Sequence, residues 1–252
     1  MKEKIELNAE ALSLRNKLGE DARSPIDIFA LLHNSVDLTI VFYPMSSGVS
    51  GMCILDGENK IIGINSTTTY GRQRYTIAHE FYHLYFNQGF TTIVCSVDLE
   101  AKKDLQEREA DMFASYFLAP YESLVDFVRN RLYKERFQLE VEDVVAIEQY
   151  YGLSRQATLW RLINDKFLTY EKAEGMKKGI IASAKRLGYP TRLYNPTPES
   201  EQYATYGKYI KLTELLKEKE LISKGKYEEL LLDGFRADMV YNSPQPNAGI
   251  YD

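Results

Sequence analysis

Residues 70–89, YGRQRYTIAHEFYHLYFNQG, form the segment that decides how this chain must fold. Within it, His79, Glu80 and His83 match the metal-binding pattern HExxH. Residues four apart in an α-helix are separated by about 6 Å along the axis and project from one face. The imidazoles of His79 and His83 can therefore bind one Zn²⁺ ion, and the pattern predicts a metal site on a helix.

The apolar residues of the same segment indicate how this helix packs. Ile77, Phe81 and Leu84 lie nearly opposite the two histidines on a helical projection. We therefore expect one face to contact the core and the other to point into a cleft. A chance match is the alternative, but the chain has only three histidines, and two of them flank Glu80.

A catalytic zinc takes three protein ligands, so a third must come from elsewhere. The remaining histidine, His33, ends a predicted helix, where a role at the helix end is expected. The run LQEREADMFASYFLAP offers Glu107 and Glu109, which lie about 200° apart around a helix. Glu107 shares its face with Asp111, so we predict Glu107 as the ligand and Asp111 as the acceptor of a histidine N–H. Solvated charges on an amphipathic helix are the alternative.

Glu80 points about 100° away from His79, which does not suit a third ligand. Its position suits a general base that takes a proton from a zinc-activated water and passes it to the leaving amine of a peptide. This predicts a peptide-bond hydrolase.

The strand preceding this helix offers a substrate-binding role. If IIGIN lies at a sheet edge, the backbone of Ile62, Gly63, Ile64 and Asn65 could pair with an extended substrate. An ordinary buried strand is the alternative.

The runs VDLTIVFYP, GVSGMCIL and NKIIGINS predict three strands of a small, mostly antiparallel sheet. The fold class is therefore α+β, with the HExxH helix, a second ligand-bearing helix and an all-helical C-terminal region. We predict a metallopeptidase domain at 1–135, a helix-turn-helix-like segment at 136–170, a helical region at 171–240 and a poorly ordered tail at 241–252.

The composition is that of an ordinary globular protein of 252 residues, with 44% hydrophobic and 27% charged residues. A net charge of −5 gives no overall attraction to nucleic acid or to anionic membranes. No run of apolar residues is long enough for a signal or a membrane span. Two distant cysteines, Cys53 and Cys95, give no disulfide framework, so a cytoplasmic protein is expected.

Four pieces of the chain together resemble the ImmA/IrrE zinc metallopeptidases of bacteria and their mobile elements: SPIDIFALL, the run from Gly48 to Asn65, RQRYTIAHEFYH and EREADMFASYFLAP. The resemblance implies a thermolysin-like minimal peptidase domain with zinc, or manganese in its place, and Glu107 as third ligand. It also implies a protein substrate, namely a helix-turn-helix transcriptional repressor encoded nearby, and a regulatory outcome.

Two other functions compete with this interpretation. The segment VEDVVAIEQYYGLSRQATLWRL could bind DNA, with Arg155 and Arg161 on its second helix. So few basic residues, and the acidic Glu148 in the first helix, mean that direct DNA binding is not expected. The chain could instead bind metal and sequester a partner without proteolysis, although mere metal binding does not require Glu80. The oligomeric state is left open.

Overall fold

A five-stranded sheet organises the fold in the computed structural model, which describes residues 2–33, 37–87, 91–96 and 105–241. Its strands are β1 Leu38–Tyr43, β2 Val49–Asp56, β3 Asn59–Asn65, β4 Thr92–Ser96 and β5 Ala204–Gly207. The strand order is β4-β2-β3-β1-β5; β1 and β3 run parallel and the other neighbours antiparallel. The predicted α+β class with a mostly antiparallel sheet is confirmed.

Helices make up most of the other described residues. They are α1 Lys4–Lys17, α2 Ile28–His33, α3 Tyr70–Phe86, α4 Leu105–Leu118, α5 Tyr121–Asp126, α6 Val141–Tyr151, α7 Arg155–Asn164, α8 Tyr170–Gly175, α9 Ile180–Arg186, α10 Lys208–Glu218, α11 Lys224–Asp233 and α12 Ala237–Tyr241. A π-helical turn, Phe127–Arg131, continues α5, and short 3-10 turns lie at Arg192–Tyr194 and Glu199–Glu201. Both predicted ligand-bearing helices are present, as α3 and α4.

The helix α3 is buried on every side, because it lies between β2 and β3 on one flank and α4 on the other. The side chains of residues 71–84 are all buried, and His79 and His83 are only 3% and 0% exposed. The predicted division into a core face and an open cleft face is therefore wrong. Both faces pack, and the histidines lie in the interior between α3 and α4.

The C-terminal region is helical as expected, with one addition that the sequence did not reveal. Residues 204–207 form β5, which pairs antiparallel with β1 at the edge of the sheet. Gly207 has a φ of +81°, and a Cβ there would collide with the carbonyl oxygen of Leu38. Four residues carry too little periodicity to predict a strand, so β5 depends on the edge that β1 offers.

The helix-turn-helix-like segment is present as α6 and α7, joined through Gly152 with a φ of +67°. Its basic side chains are not exposed: Arg155 and Arg161 are 2% and 1% exposed. Arg155 pairs with the buried Glu148, which explains an acidic residue where such motifs place an apolar one. Arg161 pairs with Asp165 at 2.5 Å. In this structure the two guanidinium groups hold helices together and are not open to DNA phosphates.

The described part of the chain contains no helix that is both long and apolar enough to cross a membrane. Of the predicted tail at 241–252, Tyr241 ends α12, and residues 242–252 lie outside the described residues. The predicted domain boundaries stay predictions.

Candidate metal centre

The helix α3 begins where its sequence provides a cap. The side-chain oxygen of Thr69 accepts a hydrogen bond from the backbone N–H of Arg72, which satisfies one of the free donors of the first turn. From this fixed start the helix runs without interruption for 17 residues to Phe86. His79 and His83 are therefore one turn apart on the same face, as the spacing predicts.

The carboxylate of Glu107, from α4, bridges the two imidazoles. Its Oε2 lies 3.4 Å from His79 Nε2 and its Oε1 lies 3.1 Å from His83 Nε2. The two Nε2 atoms are 3.2 Å apart. The structure thus brings together the three predicted ligands, with their donor atoms converging on one point.

The spacing of these donor atoms fits a zinc ion. Two atoms that are each about 2.0–2.1 Å from a tetrahedral zinc lie roughly 3.3 Å apart. The three distances of 3.1 to 3.4 Å match that value. Two imidazoles and one carboxylate are also the ligand set of a common class of catalytic zinc site. The residues therefore fit the metal.

Each histidine is oriented by a second contact at Nδ1. Asp111 Oδ1 lies 3.0 Å from His79 Nδ1, so Asp111 is placed as the sequence predicts. The amide nitrogen of Asn87 lies 3.4 Å from His83 Nδ1. At His79, Asp111 accepts the proton held at Nδ1, which leaves Nε2 with the lone pair that a metal needs. The Asn87 amide nitrogen is a donor, so it contacts His83 Nδ1 without holding a proton there. Asn87 was not predicted, because a contact just past the end of α3 has no motif.

The charges around the convergence point favour a cation there. Burial lowers the pKa of His79, but hydrogen bonds with Asp111 and Glu107 outweigh burial and raise it to about 9. Burial raises the pKa of Glu107, but hydrogen bonds with His79 and His83 outweigh burial and bring it well below its usual value. A metal ion competes with protons for these nitrogens, so binding it releases protons.

Glu109, the rejected candidate ligand, makes other contacts. Its Oε2 accepts a hydrogen bond of 2.7 Å from the hydroxyl of Tyr82, and its Oε1 accepts one of 2.6 Å from the backbone N–H of Lys2. Burial raises the pKa of Glu109, but these hydrogen bonds outweigh it, and the pKa is lowered. Glu109 therefore ties α4 to α3 and to the start of the chain.

Glu80 is fully buried, with 0% exposure. Neither of its carboxylate oxygens has a hydrogen-bond partner among the residues that the structure describes. A buried, unpaired carboxylate costs on the order of several kcal/mol, and a catalytic role is one reason for a protein to keep such a group. Its predicted role as a general base gives this carboxylate a partner, namely a water molecule that reacts.

Gly51 allows β2 to lie close to α3 beside Glu80. A Cβ at this position would lie 2.6 Å from Thr76 Cγ2, 2.8 Å from the carbonyl oxygen of Gly63 and 3.5 Å from Glu80 Oε1. Only glycine at this position allows β2 and α3 to lie this close together.

We therefore expect Gly51→Ala to lower the free energy of unfolding by about 1–3 kcal/mol, because the added methyl group overpacks the contact between strand and helix. Urea denaturation measures the change. Gly48→Ala is the matched control, since a Cβ at Gly48 meets no atom within 4 Å. Equal losses in both variants would contradict this explanation.

Cys95 joins the cluster, and sequence reasoning missed it. Its Sγ and the ligand atoms of His79, His83 and Glu107 all lie within 4.8 Å of one another. Burial raises the pKa of the thiols of Cys95 and Cys53, and the nearby charge of Glu80 raises both further. No signal in the isolated sequence predicts this contact, because it depends on the pairing of β4 with β2.

The predicted role of β3 in pairing with a substrate backbone is not supported. Ile62, Gly63, Ile64 and Asn65 lie in a strand that pairs with β2 on one side and β1 on the other. The premise of an edge strand is wrong, because the backbone hydrogen-bonding groups of β3 already have partners within the sheet. Asn65 instead binds backbone groups of the turn before β2; its amide donates to Val49 O at 2.6 Å.

The third histidine does not join the cluster. His33 ends α2, and its ring lies 4.0 Å from the ring of Tyr206, centroid to centroid. His33 therefore packs against β5, and its expected role at a helix end stays a prediction.

Comparison with known proteins bears on this site. A family model described as the IrrE N-terminal-like domain, Peptidase_M78, matches residues 34–162, just over half of the chain. The matched range contains the HExxH motif on α3 and both acidic residues predicted on α4. No curated protein sequence matches the chain.

Proposed function

Because this chain belongs to the ImmA/IrrE family of metallopeptidases, we propose that it is a zinc-dependent endopeptidase that hydrolyses one bond in a specific protein. Zinc is the metal we propose, with manganese as the alternative. We further propose that it acts in the cytoplasm, where the two free cysteines of the described structure would stay reduced.

One observation carries this proposal: a buried carboxylate with no hydrogen-bond partner among the described residues lies beside a three-residue ligand set. His79, His83 and Glu107 have the spacing of zinc ligands, and Glu80 follows His79 on the same helix. Metal binding alone requires the first three residues. Burial of Glu80 with no hydrogen-bond partner among the described residues is typical of a carboxylate that serves a reaction.

Each residue of the site then has a separate task. His79, His83 and Glu107 would hold the ion, and Asp111 keeps the His79 ring turned with Nε2 towards it. A zinc ion in such a site supplies Lewis acidity, which makes water nucleophilic near neutral pH and polarises a carbonyl oxygen. Glu80 takes the proton of the attacking water and transfers it to the leaving amine.

Access to the site is narrow, which supports a specific substrate. Of the three ligand side chains, Glu107 keeps 19% exposure, whereas His79 and His83 keep 4% and 1%. A substrate must therefore approach from the side of Glu107. An extended segment fits such an opening better than a folded surface does.

We propose that the substrate backbone pairs with β4 and not with β3. The strand β4 is at the end of the strand order, and its outer edge has no neighbouring strand among the described residues. It also carries Cys95 of the cluster and an exposed Val94. An extended peptide added to this edge would lie next to the metal ligands.

The natural substrate we propose is a helix-turn-helix transcriptional repressor encoded near this gene, and the outcome of its cleavage is relief of repression. Support comes from the family and from the narrow access to the site. Direct DNA binding is not proposed, since Arg155 and Arg161 are buried in ion pairs.

The test is to incubate the purified protein with zinc or manganese and the repressor encoded beside its gene. We expect a discrete cut in the repressor, detected by mass spectrometry. Glu80→Gln should reduce the rate by roughly 10²–10⁴-fold, the usual contribution of a general base, while its metal content is unchanged. A Glu80→Gln variant that cleaves as fast as the parent would show that Glu80 is not the base.

The alternative is a protein that binds metal and sequesters its partner without cutting it. That outcome would appear as a stable complex with the intact repressor, formed equally by the parent and by Glu80→Gln.

A further inference from the structure

The thiol of Cys95 lies among the metal ligands, yet the proposed hydrolysis does not use it. We propose that Cys95 is a fourth ligand of the same ion, and that the set of two histidines, Glu107 and Cys95 is the closed, inactive form of the site. The proposal that this form is inactive rests on the proposed peptidase function. The proposed coordination of the ion by Cys95 does not depend on that function.

The pairing of β2 with β4 directs the Cys95 side chain towards the ion. Cys95 is paired with Gly51, and paired residues of neighbouring strands point to the same face of a sheet. Gly51 faces α3, because a Cβ there would contact Thr76 and Glu80. Cys95 therefore also faces α3, and the absence of a side chain at Gly51 leaves room beside it.

The distance from the thiol to the three other ligands is short enough for coordination. Cys95 Sγ lies within 4.8 Å of all three donor atoms. A thiolate about 2.3 Å from zinc lies roughly 3.6 Å from the other ligands of a tetrahedral site. A shift of about 1 Å in a single side chain closes the difference, and a partial rotation of roughly 35° about χ1 of Cys95 supplies it.

Charge and ligand chemistry favour the same arrangement. Thiolate is a preferred ligand of zinc, and coordination deprotonates the thiol. One carboxylate and one thiolate balance the two positive charges of the ion, which matters where three of the four ligands, His79, His83 and Cys95, are almost fully buried.

The functional consequence follows from the coordination number. Catalytic zinc sites keep one position for water, whereas sites closed by four protein ligands are structural. With Cys95 bound, no position is left for the water that Glu80 must deprotonate. Hydrolysis then requires Cys95 to leave the ion, so the thiol restrains the enzyme.

Cys53 provides a matched control within the same chain. It is fully buried on β2, and the charge of Glu80 also raises the pKa of its thiol. It is not a member of the cluster of potential ligands. A general effect of removing a buried cysteine near Glu80 would therefore appear in both Cys53→Ser and Cys95→Ser. The loss of a metal ligand would appear only in Cys95→Ser.

Cobalt is the probe for coordination, because a thiolate bound to Co²⁺ gives an intense charge-transfer band in the near ultraviolet. We expect this band in the parent and in Cys53→Ser, and its loss in Cys95→Ser. Metal affinity should fall in Cys95→Ser by at least the roughly 10- to 100-fold that loss of an outer partner costs. Stoichiometric cobalt without the band in the parent, or a band that persists in Cys95→Ser, would overturn the proposal.

Zinc X-ray absorption of the parent gives a second measurement that needs no variant. One sulfur at about 2.3 Å from zinc is the expected result, and a shell of nitrogen and oxygen alone would overturn the coordination. If Cys95→Ser does not fold, Cys95→Ala serves in its place.

The inactive character of the closed site is tested by cleavage of the repressor at saturating zinc. We expect Cys95→Ser to cut faster than the parent and Cys53→Ser to cut at the parental rate. A Cys95→Ser variant that cuts no faster than an active parent would refute the restraint. If no variant cuts any substrate, the proposed peptidase function fails, while the cobalt and zinc measurements still decide the coordination.

Discussion

Glu107→Ala should lose stoichiometric zinc, because this variant removes the carboxylate that bridges both histidine rings. The carboxylate oxygens lie 3.4 Å and 3.1 Å from the Nε2 atoms of His79 and His83. Without Glu107, two imidazoles remain on the ion beside a thiol. The affinity should fall by more than the roughly 10- to 100-fold typical of an outer partner. Zinc per chain after dialysis, and competition with a chelator, measure the loss.

Glu109→Ala is the control for this prediction, since Glu109 lies two residues along the same helix. Its carboxylate binds Tyr82 and the backbone of Lys2, so its removal should lower stability and leave the zinc content unchanged. A Glu109→Ala variant that loses zinc while Glu107→Ala keeps it would reverse the assignment of the third ligand.

Glu148→Ala should lower the free energy of unfolding by about 3–5 kcal/mol, because it leaves the Arg155 guanidinium buried without its counter-charge. The side chains of Glu148 and Arg155 are 0% and 2% exposed. Glu148 also accepts a hydrogen bond of 2.7 Å from Tyr194, and Arg155 donates one of 2.7 Å to Met176 O. The pair therefore ties α6 and α7 to the helices that follow. Chemical denaturation measures the effect.

Glu142→Ala, on the same helix, is the matched control. Glu142 pairs with Arg186, but both side chains are about half exposed or more, so the variant should change stability little. Replacing Glu148 and Arg155 together with apolar residues should restore most of the loss, since no charge is then left unpaired. Equal effects of Glu148→Ala and Glu142→Ala would contradict the role given to burial.

The elements that sequence reasoning predicted have local signals. The helices α3 and α4 have helical periodicity, a cap at Thr69 and a proline at position 120 after α4. The strands β1, β2 and β3 are β-branched runs between turn residues. The choice of Glu107 over Glu109 also came from local geometry, because an acidic pair four residues apart shares one helix face.

The elements that it missed depend on partners distant in sequence. The strand β5 has four residues and pairs with a strand more than 160 residues earlier. The position of β3 in the sheet was misjudged, because strand order is set by pairing and not by sequence order. From its position on the second helix, Arg155 is a candidate for binding DNA phosphates, but its side chain is buried in a pair with Glu148.

For this protein, the sequence by itself determined the fold class, the two helices that carry ligands and the identity of three converging side chains. These follow from the 3.6-residue period of a helix, which acts over a few residues. Only the tertiary structure decided that β3 lies inside the sheet, that Glu80 is buried with no hydrogen-bond partner in the described part of the chain, and that Cys95 lies among the candidate metal ligands. Those facts depend on which strands pair and how closely they approach α3, and such contacts are long-range. His79 and Cys95 are 16 positions apart in the sequence, and only the pairing of β4 with β2 brings the cysteine beside α3.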